Sequence, residues 1–132
     1  WHIEPTEVTV MAAKHVLIIE DDQWFLALVK KTLEREKFIV ATANNTIEGM
    51  AEINKRVPDA IVADFFMPGP NALVLLHELQ SYGDTAKVPV ILCTNNASDI
   101  PNESIRSYGV ASILDKTTMH PDDVAAAVRR AL

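Results

Sequence analysis

The sequence predicts an α/β fold in which a doubly wound parallel sheet carries helices on both faces. Three observations lead there. Strand-like and helix-like segments alternate five times, most of the strand-like runs are apolar without clean alternation, and acidic and hydroxyl residues collect where those runs end. Continuous apolar runs mark strands buried on both sides, and the right-handed crossovers between parallel strands place helices on both faces.

Each element follows from local chemistry. "HVLIIE" (His15 to Glu20) is a short apolar run ending in acids and reads as the first strand. In "DQWFLALVKKTLEREK", Phe25, Leu26, Leu28, Val29 and Leu33 recur at helical spacing, with Asp22 as N-cap. "FIVATA" (Phe38 to Ala43) is the second strand. Asn44, Asn45 and Thr46 offer caps for a helix that places Ile47, Met50, Ala51 and Ile53 on one face and stops before Val57-Pro58. "AIVADF" is the third strand, and Asn71 opens a helix that Gly83 closes. "VPVILCTN" is the fourth strand. A weaker helix follows from Ser98 to Tyr108, with Pro101 near its start and Gly109 at its end. "ASILD" is the fifth strand. "HPDDVAAAVRRAL" is the last helix, with Pro121 in its first turn and Arg129 and Arg130 near its C-terminus, where the helix dipole favours cations.

The totals bound the function. The 132 residues suit one domain, and 48% apolar residues suffice for a core without disulfide or structural metal. A net charge of −6 argues against direct nucleic-acid binding, which needs clustered Lys and Arg. The lone cysteine, Cys93, lies in an apolar strand and reads as a small buried residue in a reducing, cytoplasmic setting. No segment is apolar over the roughly 20 residues that cross a bilayer, and no membrane partner is expected. Residues 1–13 are set apart as an N-terminal extension: Trp1 to Val10 read as expression-derived or as a variable arm, Met11 resembles a natural start, and the domain runs over 14–132. It reads as a stand-alone unit or one excised from a larger protein.

In open α/β sheets, ligands bind outside the carboxyl ends of the strands, where strand order reverses. Strand one ends in Glu20, Asp21 and Asp22; strand three in Asp64; strand four in Thr94 and Asn95; strand five in Asp115 and Lys116. Packed carboxylates repel, so they need a cation or must retain a proton. Mg²⁺ suits an all-oxygen site of this kind. A carboxylate beside Mg²⁺ and a lysine is placed to accept a phosphoryl group, whose charge the cations stabilise and which the Thr94 hydroxyl would bond. Each residue alone has an ordinary explanation: Asp22 as a helix cap, Asp64 as a cap of the Met67-Pro68-Gly69 turn, Lys116 as a surface lysine. Their joint placement at strand ends favours the functional reading.

These residues resemble the receiver domain of two-component response regulators over about Lys14 to Leu132. "VLIIEDD" is similar to the family's first strand and acid pocket, "DFFMPG" to the phosphoacceptor turn, "VILCT" to the strand bearing the hydroxyl and "ILDK" to the strand bearing the lysine. The steps from Asp21 to Asp64 to Thr94 to Lys116 are 43, 30 and 22 residues. The resemblance implies a flavodoxin-like five-stranded sheet of order 2-1-3-4-5 with five helices. It implies that Asp64 is phosphorylated from a histidine kinase phosphohistidine or a small phosphodonor. It further implies that Asp21, Asp64 and the Phe66 carbonyl bind Mg²⁺, that Glu20 acts through water, and that Thr94 and Lys116 contact the phosphoryl group. Such a domain is not an enzyme beyond its own phosphotransfer and dephosphorylation. Its partners are a sensor histidine kinase or phosphotransfer protein and a downstream effector, with a homodimer through the fourth helix, fifth strand and last helix.

Four positions depart from the family. Thr117 follows Lys116 where proline is usual, and the peptide bond is expected to be trans. Ile113 replaces the switching aromatic, and Tyr108 is too early in the chain to substitute. Asn95 stands where a small residue is usual, and Ala72 where glycine is frequent. The rival is a phosphorylation-independent interaction module of the same fold. A haloacid dehalogenase-type phosphatase would need a second acid where Phe66 stands. The four glycines are not clustered, which leaves no dinucleotide or P-loop fingerprint.

Overall fold

In the computed structural model, which describes residues 12–100 and 105–132, five parallel strands form one sheet in the order β2-β1-β3-β4-β5. The strands are β1 His15–Ile19, β2 Ile39–Ala43, β3 Ala60–Ala63, β4 Val90–Thr94 and β5 Val110–Asp115. Among the described residues the α-helices are α1 Gln23–Arg35, α2 Thr46–Lys55, α3 Ala72–Gln80 and α4 Pro121–Ala131. The expected class and strand order hold; the described residues carry four α-helices, and the fifth expected helix, Ser98 to Tyr108, falls partly outside them. Of the helix expected over Ser98 to Tyr108, Ala97–Asp99 is a 3-10 turn and residues 105–106 are helical. Pro101 lies outside the described residues, as do Trp1 to Val10 and Met11.

Strand alternation divides the core in two. Leu17, Ile19, Ile61, Ala63, Val90 and Leu92 face one side, where Ile53 of α2 and Leu75, Leu76 and Leu79 of α3 cover them. Val16, Ile18, Ala60, Val62, Ile91 and Cys93 face the other, under Phe25, Leu26, Val29 and Leu33 of α1 and Val124 and Val128 of α4. Full burial is confined to the three central strands; β2 and β5 are sheet edges and remain partly exposed. Burial pushes the Cys93 thiol up to about 12, so it stays protonated and packs as an apolar group.

Helix starts follow their caps. Asp22 accepts from the Trp24 and Phe25 N–H groups, Asn45 from Glu48, and Asn71 from Leu73 and Val74. His120 and Asp123 form a reciprocal capping box at α4. Two expectations fail. α3 ends at Gln80, before Gly83, and the following turn is pinned by the Thr85 hydroxyl, which donates to the Leu79 carbonyl at 2.6 Å. On α2 the buried positions are Thr46, Gly49 and Ile53, while Ile47 is 68% exposed and Ala51 is also exposed. Gly49 accounts for this: a Cβ there would lie 2.5 Å from Ile19 Cδ1, so the helix backbone rests directly on β1 and Ile47 turns outward.

α1 ends in a Schellman motif. The Lys37 N–H donates to the Glu34 carbonyl and the Phe38 N–H to the Leu33 carbonyl, with Lys37 at φ 71°. A left-handed non-glycine residue costs roughly 1–2 kcal/mol, of which glycine would return part to unfolded-chain entropy. Lys37→Gly is therefore expected to raise the urea unfolding midpoint, corresponding to about 0.5–1 kcal/mol of stability. An unchanged or lower midpoint would show that this turn is unstrained.

Candidate functional site

The strand order reverses between β1 and β3, and the site forms at the carboxyl ends of those two strands. Ile19 and Ala63 are register partners. Glu20 and Asp64 each follow by one residue, with the Asp64 N–H donating to the Ile19 carbonyl at 3.2 Å and the Glu20 N–H to the Ala43 carbonyl at 2.9 Å. Continuing the alternation of each strand, Glu20 follows Val16 and Ile18, and Asp64 follows Ala60 and Val62, onto the α1–α4 face.

Lys116 reaches the same face through an irregularity. Between β4 and β5 the register runs Val90 to Val110 and then Ile91 to Ser112, so Ala111 is skipped. One extra residue reverses the facing of every residue beyond it. Val110 and Ile113 accordingly pack on the α2–α3 side, whereas Leu114 packs on the α1–α4 side, and Lys116 follows it. The Lys116 N–H donates to the Thr94 carbonyl at 2.9 Å.

The Lys116 ammonium donates to Glu20 Oε1 at 2.6 Å and to Asp64 Oδ2 at 3.0 Å. These side chains are 9%, 2% and 9% exposed respectively, so the ion pairs are shielded from water. The ammonium also lies 4.4 Å from the ring centroid of Phe25. Asp64 Oδ1 accepts from the Phe66 N–H at 3.0 Å, an Asx-type turn that fixes the carboxylate relative to the following loop. That loop is held from the other side by the Thr46 hydroxyl, which donates to the Pro70 carbonyl at 2.8 Å. Carboxylate oxygens of Glu20, Asp21 and Asp64 all lie within 4.8 Å of one another, two of these residues buried and Asp21 exposed at the mouth. Three hard oxygen donors with one open side fit Mg²⁺, which keeps several waters.

Burial pushes the Glu20 carboxyl up to about 7, and the nearby Asp64 charge adds to this. The hydrogen bonds from Lys116 and the Asp22 N–H, together with the ammonium charge, offset only part of the effect. For Lys116, burial works against the charged form, but its hydrogen bonds to Glu20 and Asp64 and their charges outweigh it, and its pKa is raised.

Thr94 is buried, and its hydroxyl oxygen accepts from the Asn96 N–H at 3.3 Å. Asn95 occupies an exposed turn position, and Ile113 is partly buried against the α2–α3 core. Asp22 is a helix cap, as expected for that residue. Asp115 does not join the cluster. Its carboxylate accepts from the N–H and hydroxyl of Thr117 at 2.8 and 2.6 Å, which also lowers its pKa. The Lys116–Thr117 bond is trans, with no cis bond among the described residues. Phe25 carries no functional signal in the sequence. Its helical spacing marks it as core, and only the fold brings its ring beneath Lys116.

An open α/β sheet with an acid cluster and a lysine at its switch point defines a doubly wound domain with an acid pocket. The comparisons make this specific: the response regulator receiver domain family matches residues 16–129, and the chain belongs to it. It is 27% identical over 106 residues to the phosphate regulon transcriptional regulatory protein PhoB of Rhizobium meliloti (strain 1021), covering 80% of this chain and 45% of that protein. It is 30% identical over 106 residues to the Regulator of RpoS of Escherichia coli (strain K12), covering 80% of this chain and 31% of that protein. The chain thus spans less than half the length of these relatives. Among solved structures, the Vibrio cholerae chemotaxis protein CheY4 superposes with a TM-score of 0.84 at 22% identity, covering 92% of this chain and all of that one (100%). The signal receiver domain of a histidine kinase from Syntrophus aciditrophicus superposes at 0.78 with 27% identity, covering 91% and 90%. No helix among the described residues is long and apolar enough to cross a membrane.

A pH dependence follows from Glu20. Folded, it holds its proton up to about 7, whereas an unfolded glutamate releases it near 4.5. The folded chain therefore binds more protons in that window, and stability falls as pH rises through it. Urea unfolding without divalent ions is expected to show that decline, and Glu20→Gln to flatten it. An equally steep decline in Glu20→Gln would assign it to another group.

Proposed function

We propose that this chain is a phosphoacceptor receiver domain, phosphorylated on Asp64 in a Mg²⁺-dependent manner, whose modification switches protein–protein interactions. The observation that carries this reading is Lys116 bridging the buried pair Glu20 and Asp64 beside the exposed Asp21. The phosphodonor would be the phosphohistidine of a sensor histidine kinase or phosphotransfer protein, or a small phosphodonor. The recipients would be a downstream effector and a second copy meeting it through the segment after β4, β5 and α4. The setting would be cytoplasmic. The domain would act only on its own phosphoryl group.

An Asp64 carboxylate oxygen forms a bond to phosphorus as the phosphorus–nitrogen bond of the donor breaks, and the electron pair leaves with the imidazole nitrogen. The Phe66 N–H holds the other Asp64 oxygen, which limits the carboxylate to a narrow range of aims. Lys116, already charged and dewatered, exchanges its Asp64 contact for a phosphoryl oxygen. Thr94 accepts a hydrogen bond from Asn96, which leaves its own proton to donate to the phosphoryl group. Mg²⁺ held by Asp21, Asp64 and the Phe66 carbonyl, with Glu20 acting through water, would supply the neutralising charge for this acid-rich site.

Ile113 supports a second reading, a receiver-fold module that binds partners without phosphorylation. It is aliphatic and packs into the α2–α3 core, so no ring stands there to move with Thr94. Trp24, 74% exposed and three residues past Asp21, would then show no Mg²⁺-dependent fluorescence change in a chain whose Trp1 is replaced. The phosphoacceptor reading is tested by intact mass after incubation with acetyl phosphate and Mg²⁺. One phosphoryl addition is expected, absent in Asp64→Asn and absent with excess chelator. No addition to the wild type, or an undiminished one in Asp64→Asn, would overturn it.

A further inference from the structure

We propose that Phe25 is a positioning residue for Lys116, its ring face setting the direction in which the ammonium points. The functional part of this inference rests on the phosphoacceptor reading; the positioning part does not. Phe25 belongs to the first turns of α1 and is 7% exposed, packed among the residues of the α1–α4 core. Most of that core is aliphatic, so apolar burial alone does not call for a ring at this position. The ring adds one thing an aliphatic group cannot: a negative face 4.4 Å from a cation that is 9% exposed. Ring quadrupoles attract cations within about 6 Å, and the attraction grows as water is removed.

Lysine has a long flexible stem, and a compact ammonium accepts many approach directions. Three restraints define this one. The Thr94 carbonyl anchors the Lys116 N–H at the base. The Asp115 carboxylate closes the turn after it through Thr117, in the trans form. These two act on the backbone only. At the tip, Glu20 and Asp64 take two of the three ammonium protons. Asp64 is the carboxylate that the proposed chemistry alters, since it becomes an acyl phosphate. When the Asp64 bond is exchanged for a phosphoryl oxygen, the Phe25 ring, with Glu20, is a restraint at the tip that stays in place. It keeps the ammonium over the pocket through that exchange.

The test replaces Phe25 by phenylalanines carrying one, two and three ring fluorines, which withdraw charge from the ring face with little change of shape, and adds Phe25→Leu and Phe25→Tyr. The first readout is NMR of the Lys116 side chain in the protein without phosphodonor. The Lys116 ε-methylene is expected to show an upfield ring-current shift, lost in Phe25→Leu and kept in Phe25→Tyr, and its motion to increase stepwise with fluorination. The second readout is the rate of Asp64 phosphorylation by acetyl phosphate. It should fall stepwise with fluorination, reaching a loss of about five- to thirtyfold, with Tyr retaining most of the rate. Urea unfolding of the fluorinated chains controls for stability, so a fold too weak in Phe25→Leu leaves the series decisive. No ring-current shift in the wild type, or a rate and side-chain motion indifferent to fluorination, would overturn the proposal. A wild type that takes up no phosphoryl group would overturn the phosphoacceptor reading instead, and the NMR series would still decide the positioning claim.

Discussion

The contact on which the rest depends is the Lys116 ammonium between Glu20 and Asp64. Two acids at the ends of adjacent buried strands repel, and burial raises the cost of each charge. Lys116 offsets that cost with hydrogen bonds of 2.6 and 3.0 Å. Removing Lys116 would leave both acids buried and unpaired, which costs more than the intact cluster contributes. The three side chains therefore tie the ends of β1, β3 and β5 into one unit, across 96 residues of chain from Glu20 to Lys116.

Around that unit the fold supplies rigidity at some points and leaves others adjustable. β1, β3 and β4 are buried on both faces and fix where the strands end. Asp64 is further held by the Phe66 N–H, and the loop beyond it by Thr46 through Pro70. Asp21 faces solvent, as the open member of the acid cluster should. Burial, with the Asp64 charge beside it, shifts the Glu20 carboxyl up to about 7.

The departures from the family pattern look different with the fold in view. Asp115 is withdrawn from the acid cluster to cap Thr117, so the residue pair flanking Lys116 forms its own closed turn. Ile113 packs, partly buried, against the α2–α3 core. Tyr108 stacks edge-on against His77 of α3, with ring centroids 4.6 Å apart. β5, Val110–Asp115, carries no aromatic side chain.

The sequence by itself determined the class of fold, the strand count and the capped starts of α1, α2 and α3, because those depend on local periodicity and on side chains that bond their own backbone. It also determined which strand ends carry acids, since a carboxylate inside an apolar run is visible without coordinates. Where local rules met packing, they gave way: Gly49 turned Ile47 outward, and α3 stopped short of Gly83. The facing of β5 was decided only by the tertiary structure. The skipped Ala111 re-phases the strand, and without that shift Lys116 would point to the opposite side of the sheet from Glu20 and Asp64. Register is a property of a pair of strands, and so is the approach of the Phe25 ring to an ammonium 91 residues later in the chain. No single stretch of sequence contains either.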